Sequence, residues 1–232
     1  MSTIDRPDAR VLPPLVAGQR LDQATFHERY EAMPPETRAE LVGGVVYMPS
    51  PLRNDHGSTS EDISGWLVQY KRFTPGIQSS ANATTKLGDE GEPQPDSQLR
   101  IPESAGGLTR IDVDGYITGP PELMIEVARS SRAFDLGAKK RDYERAGVLE
   151  YLVVGLDPDQ VYWFIRREGR FEDLPPGPDG IFRSEAFPGL WLEPRALYDQ
   201  DYPALFATLE RGLATPEHAA FVAWLAQAGG GR

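Results

Sequence analysis

The chain contains no cysteine. That absence excludes a disulfide framework, a thiol nucleophile and every thiolate metal site. Histidine is nearly as scarce: His27, His56 and His218 are the only three, too few donors for a structural zinc site without cysteine. No stretch reaches the roughly 18 apolar residues of a membrane span. The N-terminal MSTIDRPDARVLPPLVAG mixes acids and prolines where a signal peptide has a basic start and an apolar run. A cytoplasmic protein with no membrane partner is therefore expected. The phosphate-cradling G-x-x-x-x-G-K-[ST] and G-x-G-x-x-G motifs are missing, as is the G-x-S-x-G elbow of serine hydrolases. His27-Glu28 begins a metalloprotease-like H-E-x-x-H, but Glu31 stands where the second histidine is needed. Basic charge is also short, with 24 Lys and Arg against 35 Asp and Glu and a net charge of -11. Spread evenly, that charge would oppose broad binding to nucleic acid or to an anionic membrane.

What is present reads as a globular α/β protein. At 232 residues and 40% hydrophobic content, a single core is the expectation, since cores grow up to roughly 250 residues. Residues 1-20 read as a Pro-containing leader and 21-32 as a short helix ending before Pro34-Pro35. Glu40 to Met48 reads as β structure turned by Gly43-Gly44. A helix from about His56 to Phe73 follows, with Ile63, Trp66, Leu67 and Tyr70 on one face. Residues 74-121 are irregular, with candidate strands near 81-87 and 97-101. ELMIEVA alternates as a strand, a helix spans about Phe134 to Ala146, and EYLVVG returns as a strand; this strand-helix-strand unit favours a parallel pair. VYWFIRR is a further strand, 169-180 a Gly/Pro-rich loop, and FRSEAFPGLWLEP a β element. The expected organisation is a central mixed sheet flanked by helices over residues 21-200, with a helical extension and tail over 201-232.

Three residue types in this frame carry chemistry: Asp96 after Pro95, Glu126 within ELMIEVA, and Lys139 or Lys140 on the next helix. A carboxylate at Glu126 sits among positions expected to be buried, where an unpaired charge is expensive. A salt bridge, a raised pKa or a divalent cation shared with another carboxylate would each compensate it. With Leu136 and Tyr143 on the inward stripe of the helix, both lysines fall on its flanks at 100° per residue, and periodicity does not choose between them.

AELVGGVVYMPSP at 39-51, the following His56, QPD at 94-96, PPELMIEVARSS at 120-131, DLGAKKRDYERAGVLEYLVV at 135-154 and SEAFPGLWLE at 184-193 together resemble the Uma family of putative restriction endonucleases, once a domain of unknown function. The resemblance covers roughly residues 20 to 210 and implies the restriction-endonuclease-like core of the PD-(D/E)XK nuclease superfamily. Residue by residue, it matches the Pro-Asp pair to Pro95-Asp96 and the strand acid to Glu126. The usual lysine of E-x-K falls on Ala128 and is absent. The context D-x-G-x-K-x-x-x-Y instead implies Lys139, with Tyr143 four residues on. The family's early acid and helix-start histidine fall on Glu40 and His56; as residues alone, these equally fit a hairpin cap and a helix opening.

The resemblance implies metal-assisted hydrolysis of phosphodiesters, with Mg²⁺, or Mn²⁺ in its place, held by Asp96, Glu126 and the Val127 carbonyl, and Lys139 assisting the attacking water. DNA is the implied partner. Competing readings are a non-catalytic binding or assembly module of the same fold, and an acidic protein that binds a divalent cation for stability, although an EF-hand pattern is absent. The charge is uneven in a way that matters here. Lys86 to Glu126 holds nine acidic residues against three basic ones, whereas Ala128 to Arg145 holds six basic against three acidic. The second stretch is a candidate DNA contact, or simply a solvated helix face. Leu205, Phe206, Leu209, Leu213, Phe221 and Leu225 of the C-terminal stretch would either form a homodimer surface or fold back on the core.

Overall fold

The computed structural model describes residues 12–229. The expected leader lies outside the described residues up to position 11; beyond it, Leu15 is buried and residues 18–20 run beside the first hairpin. Helix α1 (Gln23–Glu31) opens on Asp22, whose side chain accepts the Thr25 N–H, a cap that satisfies one of the free donors of the first turn. Strands β1 (Glu40–Val42) and β2 (Val45–Tyr47) pair antiparallel. Gly43 and Gly44, both at positive φ, make the tight turn whose twist suits a two-residue hairpin.

Helix α2 (Asn54–Phe73) buries Ile63, Trp66, Leu67 and Tyr70, the face expected from their spacing. It starts two residues before the expected His56. Next come β3 (Gln78–Ser80), β4 (Thr85–Lys86), β5 (Ser97–Arg100), β6 (Arg110–Ile111) and β7 (Ile117–Thr118). Strand β8 (Leu123–Ala128) leads through the helical stretch α3 (Arg132–Phe134), a π-helical turn (Asp135–Lys139) and α4 (Lys140–Ala146) into β9 (Glu150–Gly155). β8 and β9 pair in parallel, with Glu126 opposite Val153, as the strand-helix-strand pattern requires. Strands β10 (Gln160–Arg167) and β11 (Arg170–Asp173) form a hairpin, where the sequence suggested a loop from 169 onward. Glu168 and Gly169, both at positive φ, make its turn.

The six-stranded sheet runs β11-β10-β9-β8-β5-β3, antiparallel at every pairing except β8-β9. It is therefore the expected mixed sheet. The small ribbon β12 (Phe182–Arg183) and β13 (Trp191–Leu192) precedes α5 (Pro194–Tyr198), α6 (Tyr202–Leu213) and α7 (Pro216–Gly229).

Both faces of the sheet are covered, so β8 is buried along its whole length. Leu123, Ile125 and Val127 face the larger cluster with α2 and the C-terminal helices. Met124 and Ala128 face a smaller one with Tyr143, Tyr151 and Val153. Leu205, Leu209 and Leu225 join the larger cluster, with Phe206, Leu213 and Phe221 packed against it, so the apolar face of the C-terminal helices folds back on the core. Among the described residues no helix is long and apolar enough to cross a membrane.

Candidate active site

Strands β5 and β8 pair antiparallel, with Ser97 opposite Ile125 and Leu99 opposite Leu123. One step further along that register sets Asp96 across from Glu126. Directly opposed residues of such a pair project from the same face, so both carboxylates lie on the side turned toward the π-helical turn. Pro95, lacking an N–H, cannot extend the ladder. The edge of β8 that β5 has ceased to cover presents the Val127 N–H, which donates to Asp96 Oδ2 at 2.7 Å.

Lys139 reaches this face from the helix. Its Nζ, on a residue only 5% exposed, lies 2.9 Å from Glu126 Oε1 and 3.1 Å from Glu40 Oε2. Tyr143, four residues on and therefore on the same helix face, donates its hydroxyl to Glu126 Oε1 at 2.7 Å. Glu126 Oε2 is left without a protein donor among the described residues. The wide turn over Asp135–Lys139 rotates the helix so that Asp135 and Lys139 both point inward, with Tyr143 below them. Lys140 sits instead over the Phe164 ring, its Nζ 3.5 Å from the centroid. An unbroken 100° periodicity could not separate the two lysines, because the helix departs from that periodicity here.

Glu40 approaches from β1 and also accepts the Gln94 N–H at 2.7 Å, so it ties the Gln94-Pro95-Asp96 loop to Lys139. His56, in the first turn of α2, places Nε2 3.5 Å from Asp96 Oδ2. The Asp96 carboxylate holds the imidazole above its ordinary pKa against the effect of burial, with the Val127 carbonyl contributing. Glu40, His56, Asp96, Glu126 and Lys139 thus form one continuous cluster.

A further carboxylate joins it that reasoning from the sequence missed. Asp135 is 2% exposed, and its buried Oδ2 has no hydrogen-bond partner among the described residues. Burial pushes its carboxyl up to about 6, against the opposing pull of Lys139. Its spacing of four from Lys139 was the available signal, since i and i+4 share a helix face. Burial also drives Glu126 well above the ordinary carboxylate range; Lys139 opposes this, while Asp96, Asp135 and Glu40 add to it. For Lys139, burial alone would depress the ammonium, but Glu126, Glu40 and Asp135 together outweigh it and keep it charged.

The cluster therefore has more carboxylates than cations to balance them, and a divalent cation would redress that. Among the described residues no three His, Asp or Glu side chains converge as a ready metal cage. Mg²⁺ does not require one, because it commonly takes one or two carboxylates and keeps several waters. Asp96, Glu126 through Oε2, and the Val127 carbonyl at the uncovered edge fit that demand. The unpartnered Asp135 oxygen is consistent with it.

The locally basic stretch from Ala128 to Arg145 does not become a free positive surface. Arg129 pairs with Asp55 and, at 3.6 Å, Asp157. Arg132 donates to the Leu156 and Pro158 carbonyls, and Arg145 pairs with Asp142 and Glu90. With Lys139 buried in the cluster, only Arg141 and the aromatic-capped Lys140 remain. Part of the apparent excess of positive charge is taken up by acids distant in sequence, Asp55 and Asp157 at Arg129 and Glu90 at Arg145.

The chain matches the profile of the Uma2 family, described as "Putative restriction endonuclease", over residues 25–195, a span that includes every member of the cluster. No curated protein sequence matches it. Among solved structures it is similar to one from Anabaena variabilis described as "a putative nuclease belonging to DUF820", with 11% sequence identity, a TM-score of 0.54, and coverage of 85% of this chain and 97% of that one. At that identity the likeness speaks for the fold, which is the nuclease-like arrangement of a mixed sheet between helical layers. The family match spans most of the chain and takes in the hairpin, the Pro-Asp loop, the acidic strand and the lysine helix together, so the chain belongs to the Uma2 family of putative restriction endonucleases.

Proposed function

We propose that this protein is a metal-dependent nuclease that hydrolyses phosphodiester bonds in nucleic acid, DNA in the first instance. The observation that carries the reading is the convergence of Asp96, Glu126 and Lys139 from three separate elements into one cluster with surplus carboxylate. Asp96, Glu126 and the Val127 carbonyl would hold Mg²⁺, or Mn²⁺ in its place. When bound, the ion supplies Lewis acidity, lowering the pKa of its water and polarising the phosphoryl group.

The chain's own residues supply the rest. Because three carboxylates keep Lys139 protonated, it serves as a donor, stabilising negative charge as it develops on the phosphate oxygens. Glu40 holds that ammonium in place, and Tyr143 fixes the Glu126 carboxylate in one orientation. His56 sits beside Asp96, which favours its protonated form, and the imidazole steadies that carboxylate. No protein nucleophile is needed, in keeping with a chain that has no cysteine.

The test is cleavage of a mixed panel of single- and double-stranded DNA and RNA in Mg²⁺ and in Mn²⁺. Wild type should cut at least one substrate only with metal, and Glu126→Ala and Lys139→Ala should not. Metal-independent cutting, or cutting that survives Glu126→Ala, would remove this assignment. The closed Glu126–Lys139 pair also suits a non-catalytic module of the same fold. Under that reading nothing in the panel is cut, while nucleic acid is still bound.

A further inference from the structure

Tyr47 and Phe134 form an aromatic pair at the edge of the cluster, with ring centroids 4.2 Å apart and planes inclined at 44°. Tyr47 lies directly opposite Glu40 in the β1-β2 hairpin, so its side chain projects from the same face as the carboxylate that holds Lys139. Phe134 immediately precedes Asp135, and its ring centroid is 5.7 Å from Lys139 Nζ. Both rings are half-buried, and neither belongs to any of the three hydrophobic clusters of the fold or packs against one of them. Two large rings kept out of the core and set beside a charged site call for another explanation. After Tyr47 the chain runs through the exposed Met48 and Leu52, and then the exposed Arg53, to the start of α2.

Charge points the same way. A protein that grips duplex DNA through its backbone needs free lysines and arginines to neutralise phosphates. Here Arg129, Arg132, Lys139 and Arg145 are already engaged, and the whole chain carries -11. Stacking of unpaired bases on aromatic faces adds affinity beyond what phosphate neutralisation supplies, so a site short of free cations gains most from it.

Building on the nuclease reading, we propose that Tyr47 and Phe134 are a base-stacking platform and that the substrate of the site is single-stranded nucleic acid. One unpaired base stacks on the pair while its phosphodiester lies against Lys139 and Glu126.

The test measures binding by fluorescence anisotropy, with Ca²⁺ in place of Mg²⁺ to suppress cleavage. The probes are a labelled single-stranded DNA, the same sequence as RNA, and the DNA duplex. Wild type should prefer a single strand to the duplex, and the comparison of the two single strands shows which sugar is accepted. Phe134→Ala should weaken single-strand binding on the order of tenfold, the scale of one lost base stack. Phe134→Leu, which keeps apolar bulk but removes the π-face, should lose as much, whereas Phe134→Tyr should bind like wild type. A purely packing role for Phe134 would spare the Leu variant. Duplex bound as tightly as single strand, or Phe134→Leu indistinguishable from wild type, would overturn the proposal. If the wild type cuts duplex in Mg²⁺, the platform falls while the nuclease reading stands; if it neither binds nor cuts any probe, both fall.

Discussion

Replacing Asp135 by Asn should make the protein more stable at pH 8. The carboxyl is buried, its Oδ2 has no partner among the described residues, and its pKa rises from 3.8 to about 6. A raised acid in the folded state means that between pH 4 and 6 the folded chain keeps a proton that the unfolded chain has released. Stability attributable to this group is therefore greatest below the unfolded value, declines as pH rises through that window, and stays reduced above it. At 1.36 kcal/mol per pKa unit the difference is about 3 kcal/mol at pH 8, with the attraction to Lys139 already included in the shift. Asn has the shape of the acid and no charge, so it should recover most of that amount. For a domain of this size that is about 6–12 °C in Tm. Urea unfolding in EDTA at pH 4.5 and pH 8 measures it: the variant should gain about 3 kcal/mol at pH 8 but only about 1 kcal/mol at pH 4.5, which lies just above the unfolded value and well below the folded one. An equal gain at both pH values, or none at pH 8, would refute the electrostatic reasoning. If the acid is kept for cation binding, the same stabilised variant should bind Mg²⁺ more weakly by calorimetry.

Mg²⁺ should raise the Tm of wild type in a concentration-dependent way, as any ligand of the folded state does, and Asp96→Ala should abolish that rise; an unchanged rise would move the ion elsewhere. Lys139→Met leaves Glu126 and Glu40 buried without their cation and should cost about 3–5 kcal/mol in chemical denaturation, whereas adding Glu126→Gln to it should recover part of the loss. Glu150, fully buried, accepts from Trp163 Nε1, Ser184 Oγ and the Glu185 and Ala186 N–H groups, so Glu150→Ala should cost on the order of 3 kcal/mol by stranding those donors. Because Glu150 takes no part in the cluster, Mg²⁺ should still raise the Tm of that variant by the wild-type amount.

Much of the fold was legible because its signals are local. The alternation of Leu123 to Ala128, the apolar stripe of α2 and the Gly43-Gly44 turn each depend on residues within a few positions of one another, and the structure follows them. Where signals were not local, the sequence misled or stayed silent. The hairpin strand Arg170–Asp173 hides beside a Gly/Pro-rich loop because two residues at positive φ suffice to reverse the chain. Lys139 could not be separated from Lys140 by periodicity, since the helix is π-helical over Asp135–Lys139 and α-helical only from Lys140.

The charge count shows the limit most clearly. A net -11 and a locally basic helix looked like separate facts about two surfaces. In three dimensions they are largely one fact: Asp55 and Asp157 pair with Arg129 and Glu90 with Arg145, while Glu40, Glu126 and Asp135 crowd around a single buried lysine and Asp96 sits beside His56. Structural ion pairs would be expected to leave charges balanced, because an unbalanced buried carboxylate destabilises the fold. The arginine pairs obey that rule and the Lys139 cluster does not. The excess shows in the raised carboxyl pKa values of Glu126 and Asp135; under the nuclease proposal a bound divalent cation would relieve it, and this imbalance is a stronger argument for testing metal binding there than the presence of any one of the acids.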